Sequence, residues 1–346
     1  MRSMLAVALV SAATLVAASP APAGHRLELD FRGQAIVPTG TTFEGTTVGG
    51  LSSITYDRRR GVFYAISDDQ VRARFYTVAL AVRDGRLGDG DVRFEHVTTL
   101  LAPDGRPYPP MSLDPEGLAL TKDRELILTS EGLPASLIDP FVRRYSLTGS
   151  FLGELPLPAA FRVTPDQSSG VRPNLGFESA GVDGRHAYVG AENALYQDGP
   201  PATLSGGSPA RILRYDLRTR RVDGRWTYVT DPVAEPPVPA TAFSVNGLVE
   251  LLPLGDDRLL AMERSFSVGA PDTGNTIRLY EVRLGRDTAH KRLLLDLDAL
   301  GIPLDNVEGI TFGPRLRGGR RSLVLVSDNN FAAEQFTQFL LFALDR

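Results

Sequence analysis

Apolar residues along this chain fall into short runs that come in pairs. Leu118-Ala119-Leu120 and Leu126-Ile127-Leu128 are separated by a polar turn at 121–124, a pattern that predicts a β-hairpin. A carboxylate stands at each open end, Glu116 before the first strand and Glu131 after the second. Antiparallel pairing places those ends side by side. The pattern recurs with Glu178 and Glu192 about a turn at 183–186, Glu308 and Asp328 about 317–320, Asn246 and Glu263 about 255–257, and Ser53 and Asp68 about 58–61. The first members, at 53, 116, 178, 246 and 308, are spaced by 63, 62, 68 and 62 residues. A period of this size, filled with short strands, predicts an all-β fold, a β-propeller of five blades. A sixth, degenerate blade stays open, because 132–141 and 194–210 are weakly patterned.

Two further runs follow most hairpins. They lie at 74–81 and 92–101, 142–147 and 151–157, 211–217 and 225–229, and 277–284 and 290–297. The fifth repeat has only 338–345, while 25–37 forms a strand pattern with no partner of its own. The expected use of both facts is ring closure, with the N-terminal strand completing the last blade as its outer strand and removing an open sheet edge. Strand direction then puts the long connections 132–141, 158–176, 193–210, 230–244, 264–276 and 329–336 on the same face as the carboxylates. Long loops over a rigid scaffold commonly carry function.

Arg2, the apolar or small residues 4–17 and Ala21-Pro22-Ala23 read as a secretory signal peptide, 1–23, ahead of a propeller domain at 24–346. A secreted or periplasmic address is expected, with no membrane span after cleavage. The chain has no Cys, which excludes disulfides, thiol chemistry and Cys-ligated zinc. Its formal charge is −4, and no basic run is present, so nucleic acid is not an expected partner. A monomer is expected.

The carboxylate face gathers Asp68, Asp69, Glu116, Glu131, Glu178, Glu192, Glu263, Glu308 and Asp328 with Asn193, Asn246, Asn306, Asn329 and Asn330. So many acids at close quarters must be protonated, paired with arginine, or bound to cations. A lone Glu after a strand often caps a loop or pairs with arginine, but matched ends in five hairpins favour a ligand or metal face. Oxygen-only donors suit a hard cation, Ca²⁺ ahead of Mg²⁺. The four histidines, His25, His96, His186 and His290, fall outside the repeated motif and read as structural. No G-x-S-x-G motif and no P-loop is present.

Asp114-Pro115-Glu116-Gly117, Asn174-Leu175-Gly176-Phe177-Glu178-Ser179, Ala191-Glu192-Asn193, Asn306-Val307-Glu308-Gly309 and Ser327-Asp328-Asn329-Asn330-Phe331 together resemble the phytase-like domain of bacterial exported proteins, the family labelled esterase-like activity of phytase. The resemblance runs from about Gly50 to Phe339. It implies a propeller whose acidic residues support phosphoester hydrolysis. True β-propeller phytases set basic side chains beside their calcium ions. Here Lys occurs only at 122 and 291, which argues against phytate itself and leaves Arg74, Arg143, Arg172 and Arg264 as candidate phosphate contacts.

The expected function is calcium-assisted hydrolysis of a phosphate ester, a monoester or diester. Glu116 and Glu308 are the candidate acid–base residues. Glu116, Glu178, Glu308, Asp328 and Asp68 are the candidate metal ligands. Arg264, Arg172, Glu131, Glu192, Asn193, Glu263 and Asn329 are candidate contacts to a small-molecule substrate. Two alternatives stand beside it: a non-catalytic propeller that binds a ligand or partner with structural calcium, and a metal-dependent lactonase or carboxylester hydrolase.

Overall fold

The structure, a computed structural model, describes residues 27–82 and 84–345. The expected leader 1–23 and His25 lie outside them. Strand β1 (Glu28–Val37) is followed by a small hairpin, β2 (Thr42–Phe43) and β3 (Thr46–Thr47). Blade one is β4 (Ser53–Asp57), β5 (Val62–Ser67), β6 (Arg74–Leu80) and β7 (Val92–Thr99). Blade two is β8 (Pro115–Leu120), β9 (Glu125–Ser130), β10 (Phe141–Ser146) and β11 (Phe151–Leu155). Blade three is β12 (Phe177–Asp183), β13 (His186–Ala191), β14 (Pro209–Asp216) and β15 (Arg221–Val229). Blade four is β16 (Ser244–Gly255), β17 (Arg258–Ser267), β18 (Asn275–Leu284) and β19 (Ala289–Asp296). Blade five is β20 (Asn306–Phe312), β21 (Arg321–Asp328) and β22 (Thr337–Asp345), completed by β1. No described helix is long and apolar enough to cross a membrane.

Ring closure is as the strand count predicts. β1 runs antiparallel to β22, from Glu28 opposite Asp345 to Val37 opposite Thr337. The innermost strands β4, β8, β12, β16 and β20 touch one another in a closed cycle of five, which settles the blade number in the described residues. Between each pair of neighbouring blades lies one hydrophobic core. Leu260, Met262 and Leu279 of blade four meet Leu323, Leu325 and Phe342 of blade five. Ile127 and Val142 of blade two meet Val189 and Tyr215 of blade three. Tyr188 and Trp226 pack in the core between blades three and four.

This packing explains why apolar–polar alternation is weak in most of the sequence. Second strands such as β5 and β21 are covered on both sides by neighbouring blades and are buried almost throughout. Only outer strands keep a two-residue rhythm, β15 most clearly. A sheet buried on both faces reads as a near-continuous apolar run.

Four innermost strands carry an irregularity that sequence spacing does not reveal. In β16 the register steps from Leu248 opposite Glu263 to Glu250 opposite Met262, leaving Val249 unpaired, and shifts again between Pro253 and Gly255. In β12 the register steps from Phe177 opposite Ala191 to Ser179 opposite Gly190, leaving Glu178 unpaired. In β20 it steps from Val307 opposite Ser327 to Gly309 opposite Val326, leaving Glu308 unpaired. In β8 the shift lies between Pro115 and Leu118, at Glu116-Gly117. Each is a β-bulge, which re-aims the side chain of the extra residue and tightens local twist.

Candidate functional site

The bulges at Glu116, Glu178 and Glu308 sit at one end of the central channel, where the second strands also end. The resulting mouth is a cavity of about 710 Å³. Into it face the buried carboxyl groups of Asp114, Glu116, Glu131, Glu178, Glu192, Glu308 and Asp328, with the half-buried Asp68 at the lip. Loops 158–176, 230–244, 268–274 and 329–336 overhang it, contributing Asn174, Phe243, Asp272, Asn330 and Gln335. Close backbone approach makes room for the acids. A Cβ on Gly247 would lie 2.2 Å from Glu192 Oε1. One on Gly117 would lie 2.6 Å from the backbone nitrogen of Ala180. Neither site tolerates a larger residue without movement.

Charge is unevenly balanced here. Arg264 is the one basic residue among the described residues that line the cavity. Its guanidinium donates to Glu308 Oε1 at 2.8 Å and lies 3.8 Å from Glu192 Oε1. Asn306 Nδ2 donates to Glu308 at 3.0 Å and Asp328 at 3.4 Å. Burial, reinforced by neighbouring carboxylates, pushes Glu116, Glu131, Glu178 and Asp328 well above the usual carboxyl range. Burial likewise raises Asp68 to about 7, Asp114 to about 6 and Glu192 to about 7. Glu308 rises from burial too, opposed by Arg264. Burial disfavours Arg264's charge, yet the surrounding carboxylates outweigh it and hold the guanidinium protonated.

Such a mouth either holds protons or exchanges them for a cation. Two triads bring one oxygen from each member within 4.8 Å of the others: Asp114, Glu116 and Glu131, and Glu131, Glu178 and Glu192. Asp68 Oδ1 and Glu192 Oε1 are buried without a hydrogen-bond partner. Every donor is oxygen and most are carboxylate, so the set fits a hard divalent cation such as Ca²⁺. Glu131 belongs to both triads and is positioned to bridge.

Of the residues singled out in the sequence, Asp68, Glu116, Glu131, Glu178, Glu192, Arg264, Glu308 and Asp328 line the mouth. Arg172, Asn193, Asn329 and Glu263 do not, and each is engaged elsewhere. Arg172 donates to the carbonyls of Ala194 and Gly199 and lies over the Tyr196 ring. Asn193 donates to Asn246 O and accepts from Ala202 N, tying down the loop that follows it. Asn329 Oδ1 accepts from Gly50 N and Phe331 N. Glu263 turns away from the mouth, where Tyr228, Asp231 N, Asn246 and Lys291 surround it. Adjacent strand residues point to opposite faces, so the turn that removes Glu263 brings Arg264 in. Asp69 pairs with Arg74 outside the mouth. His96, His186 and His290 take no part in it.

The sequence reading left Asp114 out of the acidic ring. The signal was present: Asp114 stands two residues before Glu116, the same-face spacing of a strand. Glu250 was also missed. It lies deeper in the channel, where its carboxyl accepts from Ser53 Oγ at 2.5 Å and from Ala180 N at 3.0 Å. Burial raises it to about 8.

Comparison with known proteins bears on the family. The family model described as Phytase-like, Esterase-like activity of phytase, matches residues 46–331. No curated protein matches the chain. Among solved structures, an endo-arabinase from Bacteroides thetaiotaomicron VPI-5482 is 12% identical, with 90% of this chain and 97% of that chain covered at a TM-score of 0.46. An exo-beta-1,3-galactanase from Phanerochaete chrysosporium is 10% identical, with 93% and 65% covered at a TM-score of 0.49. The Dos1 propeller is 8% identical, with 87% and 69% covered at 0.38. Identities and scores this low carry nothing about activity.

Proposed function

The chain belongs to the phytase-like family, and on that premise we propose that it is a divalent-cation-dependent hydrolase of small phosphate esters acting at the carboxylate mouth. One observation carries the reading: two oxygen triads that share Glu131, Asp114–Glu116–Glu131 and Glu131–Glu178–Glu192, each within 4.8 Å. These five residues would hold the cation, calcium being the best fit to the donors. When bound, it would polarise a phosphoryl oxygen and acidify a coordinated water.

The chain's own groups supply the rest. Arg264, fixed between Glu308 and Glu192, faces the mouth and orients an anionic ester oxygen through its remaining donors. Glu308 and Asp68, outside both triads, hold or move a proton at the carboxyl oxygens. Glu116, placed within a triad, serves as a ligand rather than as the acid. Overhanging loops restrict water. The leader expected at 1–23 makes this an extracytoplasmic enzyme, working as a monomer on a small molecule.

A single arginine among so many acids also favours a second reading, hydrolysis of an uncharged carboxylester or lactone. The test is turnover of p-nitrophenyl phosphate, bis(p-nitrophenyl) phosphate, p-nitrophenyl acetate and a γ-lactone, with Ca²⁺ and after chelation. Phosphate turnover that is lost in chelator and absent in Glu131→Gln is expected. Turnover of acetate or lactone alone would move the assignment to the second reading. Cation binding with no turnover at all would leave a binding module.

A further inference from the structure

The opposite mouth of the channel is a second cavity, of about 430 Å³. The C-terminal ends of the five innermost strands build it. Tyr56, Leu120, Val182, Leu252 and Phe312 occupy corresponding places, one from each blade, and each is left partly exposed. They form an apolar collar. The channel between the two mouths is barred by Glu250, which reaches from blade four to Ser53 of blade one and Ala180 of blade three. A molecule seated in the collar therefore does not enter the carboxylate mouth.

The charge of this mouth is the reverse of the other. Arg58, Arg315 and Arg321 line it, and among the described residues no carboxylate does. Arg321 lies over the Phe312 ring at 4.8 Å. Arg315 donates through Nη1 to Gly319 O at 2.7 Å, which leaves its other donors available. Arg58 forms no ion pair among the described residues. An apolar pocket of this size with a few convergent charged groups has the make-up of a small-molecule site, and arginine matches carboxylate and phosphate oxygens in pairs.

We infer that the far mouth binds a small amphipathic anion, its alkyl or aryl body inside the five-residue collar and its carboxylate or phosphate head on Arg58 and Arg315. Nothing in this site depends on the chemistry of the carboxylate mouth.

Calorimetric titration of the mature chain with octanoate, octyl phosphate and octanol tests it. At least one anion should bind about tenfold more tightly than octanol, since a hydrogen bond to a charged group adds that much or more. The preferred head identifies the source, octanoate for a carboxylate and octyl phosphate for a phosphate. Raising ionic strength should weaken the anion but not octanol. Arg58→Ala with Arg315→Ala should remove the anion's advantage and leave octanol binding as it was. Val182→Trp should displace all three probes by filling the collar. The salt series uses the unaltered chain, so it decides even if a variant fails to fold. No binding by any probe, or equal binding of anion and alcohol at every salt concentration, would overturn the assignment.

Discussion

Ser53 Oγ donates to Glu250 Oε2 at 2.5 Å, across the central channel from blade one to blade four. The same carboxyl accepts from Ala180 N of blade three at 3.0 Å. Three blades are thus pinned at the axis by one side chain. The contact also divides the channel into an acidic mouth and an arginine-rimmed one.

Glu250→Ala should destabilise the fold, because it leaves Ser53 and Ala180 N without their partner. Each orphaned buried group costs about 1–3 kcal/mol. Denaturant unfolding at fixed pH measures it, and a loss below 1 kcal/mol would show that water takes over the contacts.

The raised Glu250 carboxyl gives a pH signature. Burial lifts it from 4.5 to about 8, so the folded state holds a proton that the unfolded chain releases. Its stabilising contribution is complete below about 4.5 and is lost as pH rises through about 8. Glu250→Gln keeps a neutral group there. The melting temperature of the variant should therefore fall less steeply between pH 5 and 9 than that of the parent. Parallel curves would contradict the assignment.

Cation binding should have the opposite pH trend. Asp114 and Glu192, raised to about 6 and 7, and Glu116, Glu131 and Glu178, raised well above the usual carboxyl range, must shed protons before a cation can take their place. Stabilisation by Ca²⁺ should grow from pH 5 to 8 and reach about 2.7 kcal/mol at a hundredfold excess over Kd. Glu131→Gln, which alters both triads, should abolish it. Identical melting curves in Ca²⁺ and in chelator would remove the cation from the proposal.

Arg264→Ala separates the arginine from the acids it serves. Breaking a buried ion pair by removing one partner typically costs about 3–5 kcal/mol, and that loss should appear in chelator. Calcium affinity should rise about tenfold at the same time, since a positive charge beside the site is gone. A variant with weaker calcium binding would mean that Arg264 shapes the site sterically.

Ring closure is tested by starting the chain at Pro38. Without β1, the edge of β22 is unpaired from Thr337 to Asp345. Size-exclusion chromatography should show aggregation and calorimetry a broadened unfolding transition. A monomer with a sharp transition would make the outer strand dispensable.

The paired apolar runs, their turns and their spacing of 62 to 68 residues were enough to obtain the propeller, a count of five blades with a sixth left open, and the pairing of the first strand with the last. These follow from local periodicity and from strand counting, and both are written along the chain. Hairpin geometry also placed Glu116, Glu131, Glu178, Glu192, Glu308 and Asp328 at one end. Which side of its strand each side chain takes was not legible. A one-residue change of register reverses every side chain, and the bulges at Glu116, Glu178 and Glu308 make such changes. Glu263 shows the consequence: it occupies the repeat's acidic position yet turns to Tyr228 and Lys291, while its neighbour Arg264 enters the mouth. The Glu250 crossbar, from a residue outside every repeated motif, depends on three blades meeting at an axis. Sequence spacing fixes distance along a strand. The ladder register and the closing of the ring decide what faces the channel.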